Sequence, residues 1–112
     1  MKDHKTGRLC DDPDCRGILK DSIINFGESL PEFDIDTAFD NGSSADLCMS
    51  MGTSLRVTPA ADVPKATVEN GGKLVICNLQ KTPLDAYAAL VIHAKCDDVM
   101  EMLCEKLGIP IR

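Results

Sequence analysis

The chain carries the run Leu-Cys-Met-Ser-Met-Gly-Thr-Ser at residues 47–54, an apolar segment that ends in three small residues. A short apolar run before a glycine turn predicts a buried strand at 47–51. A second run, Lys-Leu-Val-Ile-Cys at residues 73–77, leads into Asn-Leu-Gln and predicts another buried strand. Because strands that are apolar throughout are typical of sheets covered on both faces, the two runs indicate a parallel sheet.

The residues before this region predict a loop, an extended segment and a helix. Positions 1–17 are polar with scattered glycine and proline, so we expect a loop there. Positions 18–26 have a β-branched centre and predict an extended segment. From 31 to 45 apolar residues recur at helical spacing, and Asn41-Gly42 predicts the end of that helix.

The residues after it complete an alternation of strands and helices. A helix is predicted from Asp62 to the Asn-Gly-Gly at 70–72, followed by a third short strand at 88–92. Asp97 is a suitable cap for a last helix, which Gly108 would end. Short buried strands separated by helices predict an α/β fold with a parallel sheet.

Composition narrows the function classes. The 112 residues carry a formal net charge of −6, which argues against binding to a nucleic-acid phosphate backbone. No apolar run approaches the roughly 20 residues that span a bilayer, so no membrane association is expected. The first residues show no apolar stretch typical of a secretory signal, which favours a reducing intracellular compartment for the six cysteines.

The polar residues that follow the two central strands are candidates for a ligand site. Parallel sheets bind ligands at the carboxyl ends of their strands. A Gly-Thr-Ser turn at 52–54 offers close backbone approach, amide donors and hydroxyls to a phosphate or ribose. Asn78 and Gln80 offer further polar groups at the next strand end. The alternative is that the turn is only a tight turn and that Asn78 only caps a strand.

Two cysteines lie close together in the polar N-terminal loop. Cys10 and Cys15 have a spacing close to that of a zinc knuckle, and His4 is a candidate third ligand. A structural zinc needs four ligands, so the sequence shows half a site. The alternative is a pair of free thiols or a disulfide in a flexible loop.

The remaining candidates do not form a catalytic constellation. Cys48, Cys77 and Cys104 lie in apolar elements and are expected in the core. Cys96 precedes a helix, where we expect it to pack or to line a ligand. His93 has no nucleophile or orienting carboxylate at a recognisable spacing, so a structural role is expected.

Several segments read together resemble the C-terminal half of the sirtuins. The combination of three of them in this order is highly specific: Phe-Gly-Glu, Gly-Thr-Ser-Leu and Val-Ile-Cys-Asn-Leu-Gln. The resemblance covers essentially the whole chain. The segments are Thr6–Cys10, Leu19–Glu28, Ala45–Leu47, Gly52–Val57 and Gly71–Gln80. Four segments are most similar to the class IV branch: Asn78-Leu79-Gln80 with Thr82-Pro83, Ile92-His93, Asp97–Met100 and the terminal Leu107–Pro110.

The resemblance implies a Rossmann-type domain with a zinc-binding module. Residues 1–30 would form part of that module and a substrate-side strand, and residues 31–112 the C-terminal half of the NAD-binding domain. Cys10 and Cys15 match the second pair of zinc ligands, and Phe26-Gly27-Glu28 the region beside the acyl-lysine groove. The residues that match NAD contacts are Gly52, Thr53 and Ser54 for the ribose and phosphates, Asn78 and Gln80 for the adenosine side, and Cys96 for the adenine.

The implied activity is NAD-dependent deacylation of lysine in proteins, or ADP-ribosyl transfer. The implied cofactors are NAD and zinc, the substrate an acyl-lysine protein such as a histone, and the location the nucleus, where class IV members act on chromatin. The family's Gly-Ala-Gly-x-Ser loop, its catalytic His-Gly segment and the first zinc cysteine pair are not in this sequence and are expected upstream of Met1. We therefore expect the chain alone to be inactive, with no catalytic residue of its own.

Two further expectations follow from that partial match. A sheet without its first strand would leave an unpaired edge, which predicts dimerisation or domain swapping. The alternative to an enzyme is a non-catalytic module that binds ADP-ribose or NAD, or a plain interaction domain.

Overall fold

The computed structural model describes residues 3–112. The chain forms two compact units, the first ending at Pro31 and the second spanning Glu32–Arg112. None of the helices formed by the described residues has the length and apolar character needed to cross a bilayer.

The first unit is built on a two-stranded antiparallel ribbon. Strand β1 spans Lys5–Leu9 and strand β2 spans Ile18–Lys20, with Leu9 opposite Ile18. The predicted loop over 1–17 is therefore wrong for Lys5–Leu9, while its positions 1 and 2 lie outside the described residues. Every residue of both strands is exposed, so β1 has no alternation of apolar and polar residues by which a sequence pattern could reveal it.

The predicted extended segment at 18–26 is shorter than expected. Only its first three residues form a strand, and residues 21–25 have no regular secondary structure. There the side chain of Asp21 accepts a 3.1 Å hydrogen bond from the amide of Ile23, and the amide of Asp21 donates to the carbonyl of His4 at 2.9 Å. A short acidic side chain that binds the backbone two residues on competes with strand pairing beyond Asp21.

The second unit contains a three-stranded parallel sheet in the order β3-β4-β5. The strands are β3 at Leu47–Met51, β4 at Lys73–Cys77 and β5 at Leu90–Ile92. Cys77, the last residue of β4, is in register with the last residues of its two neighbours. The predicted parallel α/β architecture is confirmed, and all three strands end at one edge of the sheet.

Three helices accompany these strands, and the middle one connects β3 to β4 and packs against both. They are α1 at Glu32–Ser44, α2 at Val63–Glu69 and α3 at Cys96–Leu107, with single 3-10 turns at Ala60–Asp62 and Asp85–Tyr87. Helix α2 begins after Asp62 and ends at Asn70, and α3 ends at Gly108 with φ +67°, all as predicted.

Two predicted helix boundaries are wrong. Helix α1 continues past Asn41-Gly42 to Ser44, because Gly42 is buried where α1 meets α2. A Cβ at Gly42 would stand 2.9 Å from Cγ1 of Val63, so this glycine permits close packing and does not end the helix. Helix α3 starts at Cys96, with Lys95 as its N-cap, since no Asp97 side-chain cap is formed.

The core of the second unit is centred on β4. Leu74 and Ile76 are 0% and 1% exposed, and they pack with Leu55 and Leu84. Of the cysteines expected in the core, Cys77 is fully buried, whereas the partly buried Cys48 packs against the cluster and Cys104 is half-buried.

Candidate functional site

The carboxyl ends of the parallel strands form one edge of the sheet. Because β3, β4 and β5 end in register, the residues that follow them lie side by side. Open α/β sheets bind ligands at this edge. The residues that come next after the three strands are Gly52, Asn78 and His93.

The turn after β3 is hydrogen-bonded to the end of β4. The amide of Gly52 donates a 2.9 Å hydrogen bond to the carbonyl of Cys77, and Gly52 has a φ of +64°, which side chains disfavour. Leu55 is 7% exposed and anchors the far end of the turn in the core. Its amide donates to the hydroxyl of Thr53 at 3.3 Å. Thr53 and Ser54 are both exposed, so their hydroxyls border solvent at this edge.

The loop after β4 is held by hydrogen bonds on two sides. The amide of Asn78 donates to the carbonyl of Ile92 at 3.1 Å, and its side-chain Nδ2 donates to the carbonyl of Gln80 at 2.9 Å. Nδ1 of His93 lies 2.9 Å from the carbonyl oxygen of Asn78. Since a carbonyl only accepts, this ring nitrogen carries the proton. His93 thus fixes the loop, in line with the structural role expected for it.

Cys96, the first residue of α3, reaches the same edge. Its Sγ lies 3.5 Å from the place where a Cβ on Gly52 would stand, and 4.0 Å from the Sγ of Cys77. Burial, and secondarily the hydrogen bond with Cys96, raises the pKa of the Cys77 thiol. Cys77 is therefore protonated at neutral pH.

The structure brings the six predicted NAD-binding residues together as two groups at one sheet edge. One group is the turn with the helix start that borders it, and the other is the loop after β4. The hydrogen bond between the Gly52 amide and the Cys77 carbonyl joins the two groups, because Cys77 directly precedes Asn78. The first group consists of Gly52, Thr53, Ser54 and Cys96, and the second of Asn78 and Gln80.

The predicted zinc ligands lie on a tight knuckle in the first unit. The amide of Cys10 donates to the carbonyl of Gly17 at 2.8 Å, and the amides of Cys15 and Arg16 donate to the carbonyl of Asp12 at 3.1 and 3.0 Å. Cys10 is half-buried and Cys15 exposed. The two thiols are donors of the kind that structural zinc sites use, and such sites take four ligands. Within residues 3–112 no group of three or more suitable side chains is arranged to hold a metal.

His4 is not available as the third zinc ligand. Its Nδ1 lies 2.9 Å from a carboxylate oxygen of Asp21, and its Nε2 lies 3.0 Å from one of Glu28. Both ring nitrogens are thereby occupied, which contradicts the predicted metal role. The hydrogen bond with Asp21, and then that with Glu28, raises the pKa of His4. The amide and side chain of Asn25 chiefly lower the pKa of Glu28.

Comparison with known proteins identifies the family. A family model described as "Sir2 family" matches residues 1–59. The chain belongs to the Sir2, or sirtuin, family. The NAD-dependent protein deacetylase SRT1 of Arabidopsis thaliana is 41% identical over 107 residues, which cover 96% of this chain and 23% of SRT1. An NAD-dependent protein deacetylase of Thermotoga maritima is 41% identical over 101 residues, covering 90% of this chain and 40% of that protein.

The sirtuin fold is shared as well. A solved structure described as "Sir2-p53 peptide-NAD+" has a TM-score of 0.77 and 40% sequence identity, and the match covers 91% of this chain and 42% of that structure. The three-stranded parallel sheet with its helices is thus part of a Rossmann-type sirtuin domain. The chain spans between about a quarter and two fifths of the relatives named above.

A cleft in this sirtuin chain was not predicted. It has a volume of ≈ 370 Å³ and lies between the segment after the Gly52 turn and the two 3-10 turns. Nζ of Lys65 stands 5.8 Å from the ring centre of Tyr87 and 3.6 Å from a carboxylate oxygen of Glu69. No sequence signal marks the cleft, because segments distant along the chain form it. Its lining includes Arg56, Asp62, Lys65, Pro83, Leu84 and Tyr87.

Proposed function

We propose that this chain provides the adenosine side of the NAD site of an NAD-dependent protein deacylase. The observation that carries the proposal is the in-register sheet edge at which the Gly52 turn, the Asn78 loop and the start of α3 converge. The named deacetylase relatives and the NAD+ in the name of a matching structure support it.

The chemistry of the edge suits a dinucleotide. The left-handed Gly52 leaves the backbone open to close approach by a phosphate or ribose, and the exposed hydroxyls of Thr53 and Ser54 supply donors. The Nδ2 of Asn78 is used within its loop, whereas among the described residues no donor is bonded to its Oδ1. That oxygen is the group we assign to a ribose hydroxyl.

The start of α3 suits the uncharged end of the ligand. Asp97 and Asp98 lie in its first turn, and their charge opposes an anion there. We therefore place the adenine, and not the diphosphate, beside Cys96. NAD, when bound, would be the co-substrate that is consumed in deacylation or in ADP-ribosyl transfer.

A calorimetric titration of the 112-residue chain with ADP-ribose tests this assignment. Binding that is lost on Asn78→Ala supports it. Asn70→Ala is the matched control, since the Asn70 side chain donates to the carbonyl of Ala66 at the end of α2 and should leave affinity unchanged. No measurable heat with the folded chain, or equal losses in both variants, would count against the assignment.

We also propose that Cys10 and Cys15 hold zinc as one half of a four-thiolate site. The knuckle supports this, and zinc would hold the ribbon of the first unit by its tetrahedral bonds. With two ligands per chain, the isolated chain should bind one zinc per two copies. Cobalt substitution followed by its visible absorption measures the stoichiometry, with Cys15→Ser expected to abolish the signal and Cys104→Ser to preserve it. A full signal in the Cys15→Ser chain would refute the pairing.

The substrate we propose is an acyl-lysine protein, with histones among the candidates. Phe26 is 92% exposed, and Gly27 has a φ of +86°. This turn therefore presents an apolar ring beside a glycine, which allows a peptide to approach the backbone closely. The chain alone should not turn over an acetylated histone peptide, because the family's catalytic His-Gly segment is not among its residues. Nicotinamide release measures this, and release above background would refute it.

We propose a nuclear location for the protein, on the strength of the class IV resemblance alone. Fluorescence microscopy of a tagged gene product in its native cells tests it. Exclusion of the signal from the nucleus would overturn this proposal and leave the nucleotide assignment untouched.

A further inference from the structure

Two thiols face each other beneath the Gly52 turn. The Cys77 thiol is oriented to donate to the Sγ of Cys96 across 4.0 Å, and the Cys96 thiol to donate to the carbonyl of Cys77 across 3.8 Å. A disulfide requires a sulfur–sulfur distance of about 2.05 Å, so the two atoms need to approach by about 2 Å. The residues belong to different elements, the end of β4 and the start of α3.

The two cysteines differ in their access to solvent. Cys77 is 0% exposed, whereas Cys96 is half-buried at the sheet edge. An oxidant from solvent therefore reaches Cys96 first. Cys77 is then positioned to complete the reaction from within the core. Its raised pKa keeps it as a thiol, so its attack on an oxidised Cys96 requires the loss of the thiol proton.

We propose that Cys77 and Cys96 form an oxidation site, at which a hydroperoxide converts the two thiols into a disulfide. The sulfur of Cys96 attacks the peroxide, the O–O bond breaks, and a sulfenic acid and one water form when the oxidant is hydrogen peroxide. The sulfur of Cys77 then attacks that of Cys96. An S–S bond forms, the S–O bond breaks, and the hydroxide leaves as water with the proton of Cys77.

The disulfide would change the proposed nucleotide edge. Cys96 lies against the Gly52 turn, and the amide of Gly52 is bonded to the carbonyl of Cys77. Drawing Cys96 toward Cys77 displaces the start of α3 relative to that turn. This consequence rests on the proposed function, and we expect ADP-ribose affinity to fall by about tenfold, the effect of one disturbed hydrogen bond to a charged ligand.

Peptide mapping tests the disulfide without reference to nucleotide binding. The folded chain is treated with hydrogen peroxide, its free thiols are blocked, and it is digested with trypsin without reduction. Cys77 falls in the peptide 74–81 and Cys96 in the peptide 96–106, so a linked pair of these peptides is expected. Cys104 shares the second peptide. The link should therefore persist in Cys104→Ser and disappear in Cys96→Ser.

Each outcome is decisive. Formation of the link in folded wild-type chain and in Cys104→Ser supports the proposal. Its absence from the folded chain, or its persistence in Cys96→Ser, overturns it. Calorimetry on the oxidised and reduced chains then measures the consequence, with affinity restored by dithiothreitol. A disulfide that leaves affinity unchanged overturns the effect on binding. A reduced chain that fails to bind ADP-ribose overturns the nucleotide function, and with it this effect, but not the oxidation site.

Discussion

The hydroxyl of Thr67 donates a 2.7 Å hydrogen bond to the carbonyl of Gly42 and so joins α2 to the last turn of α1. Carbonyls in a last helical turn lack a partner within their own helix, and Thr67, which is fully buried, supplies one. Gly42 allows the approach, because a Cβ there would press against Val63. The contact between α1 and α2 therefore depends on a polar bond and on a missing side chain.

Thr67→Val should destabilise the second unit. Valine keeps the shape but removes the donor, which leaves the buried carbonyl of Gly42 without its partner and lowers the unfolding free energy by about 1–3 kcal/mol. Thr37→Val is the matched control, since the Thr37 hydroxyl donates to the carbonyl of Phe33 on the exposed surface of α1. Urea unfolding followed by circular dichroism measures both. Equal stability of the two variants would contradict the role of Thr67.

Elements marked by a local run of apolar residues could be predicted from the sequence. Elements defined by contacts between distant segments could not. The apolar runs that became β3 and β4 predict strands, and the parallel arrangement then predicts that Gly52 and Asn78 meet at one edge. The predicted burial holds for most of β4, whereas in β3 only Ser50 is buried. Strand β1 escapes prediction because it is wholly exposed and is defined by pairing with β2.

The two glycines at positions 42 and 108 show most clearly why a local pattern does not fix where a helix ends. Gly108 and Gly42 offer the same signal in sequence, yet Gly108 ends α3 and Gly42 lies buried inside α1. The difference is the presence of Val63 across the helix contact. In the candidate site, Cys77 and Cys96 come together only because of where α3 starts after β5. No local pattern contains that information.

Gly52→Ala should impair ADP-ribose binding more than it impairs folding. Alanine at φ +64° is strained and destabilises by about 1 kcal/mol. It also places a methyl group within 3.5 Å of the Cys96 sulfur, at the edge we assign to the nucleotide. Gly71→Ala is the matched control, with φ +90° and no atom within 4 Å of the added Cβ. Both variants should unfold at lower urea, and only Gly52→Ala should lose affinity. Undiminished binding by Gly52→Ala would remove this turn from the site.

The cluster of His4, Asp21 and Glu28 should make the stability of the first unit depend on pH. The pKa of His4 is raised above 6.5, so its contribution to stability is complete below pH 6.5 and is lost as the pH rises through the raised value. The pKa of Glu28 is lowered from 4.5, so its contribution is complete above pH 4.5 and is lost at lower pH. The cluster is therefore most stabilising between pH 4.5 and pH 6.5.

Nuclear magnetic resonance titration of the His4 ring measures the shift. Asp21→Asn should lower the pKa of His4, because it removes the main cause of the rise. Asp14→Asn is the control, since this exposed acid on the Cys10–Cys15 knuckle has its amide bonded to Asp12. A His4 titration that Asp21→Asn leaves unchanged would show that the ring does not bind Asp21 in solution.

The free edge of β3 should make the isolated chain self-associate. Among the strands that the structure describes, β3 pairs with β4 on one side only, and Leu47 at its start is 57% exposed. An unpaired, partly apolar edge of five residues is a template for a second copy. Light scattering should then show a mass above 12.1 kDa that rises with concentration. Leu47→Lys should return the chain to the monomer mass, because a charge at an edge opposes pairing.

The opposite edge supplies the control for that experiment. Strand β5 has three residues, and short edge strands are poor templates for pairing. Leu90 is 52% exposed, close to the value for Leu47, so Leu90→Lys adds the same charge at an equally exposed position. Association that survives Leu90→Lys and disappears in Leu47→Lys assigns the contact to β3. A monomer at every concentration would mean that the β3 edge is protected in solution, and the predicted dimer would then be wrong.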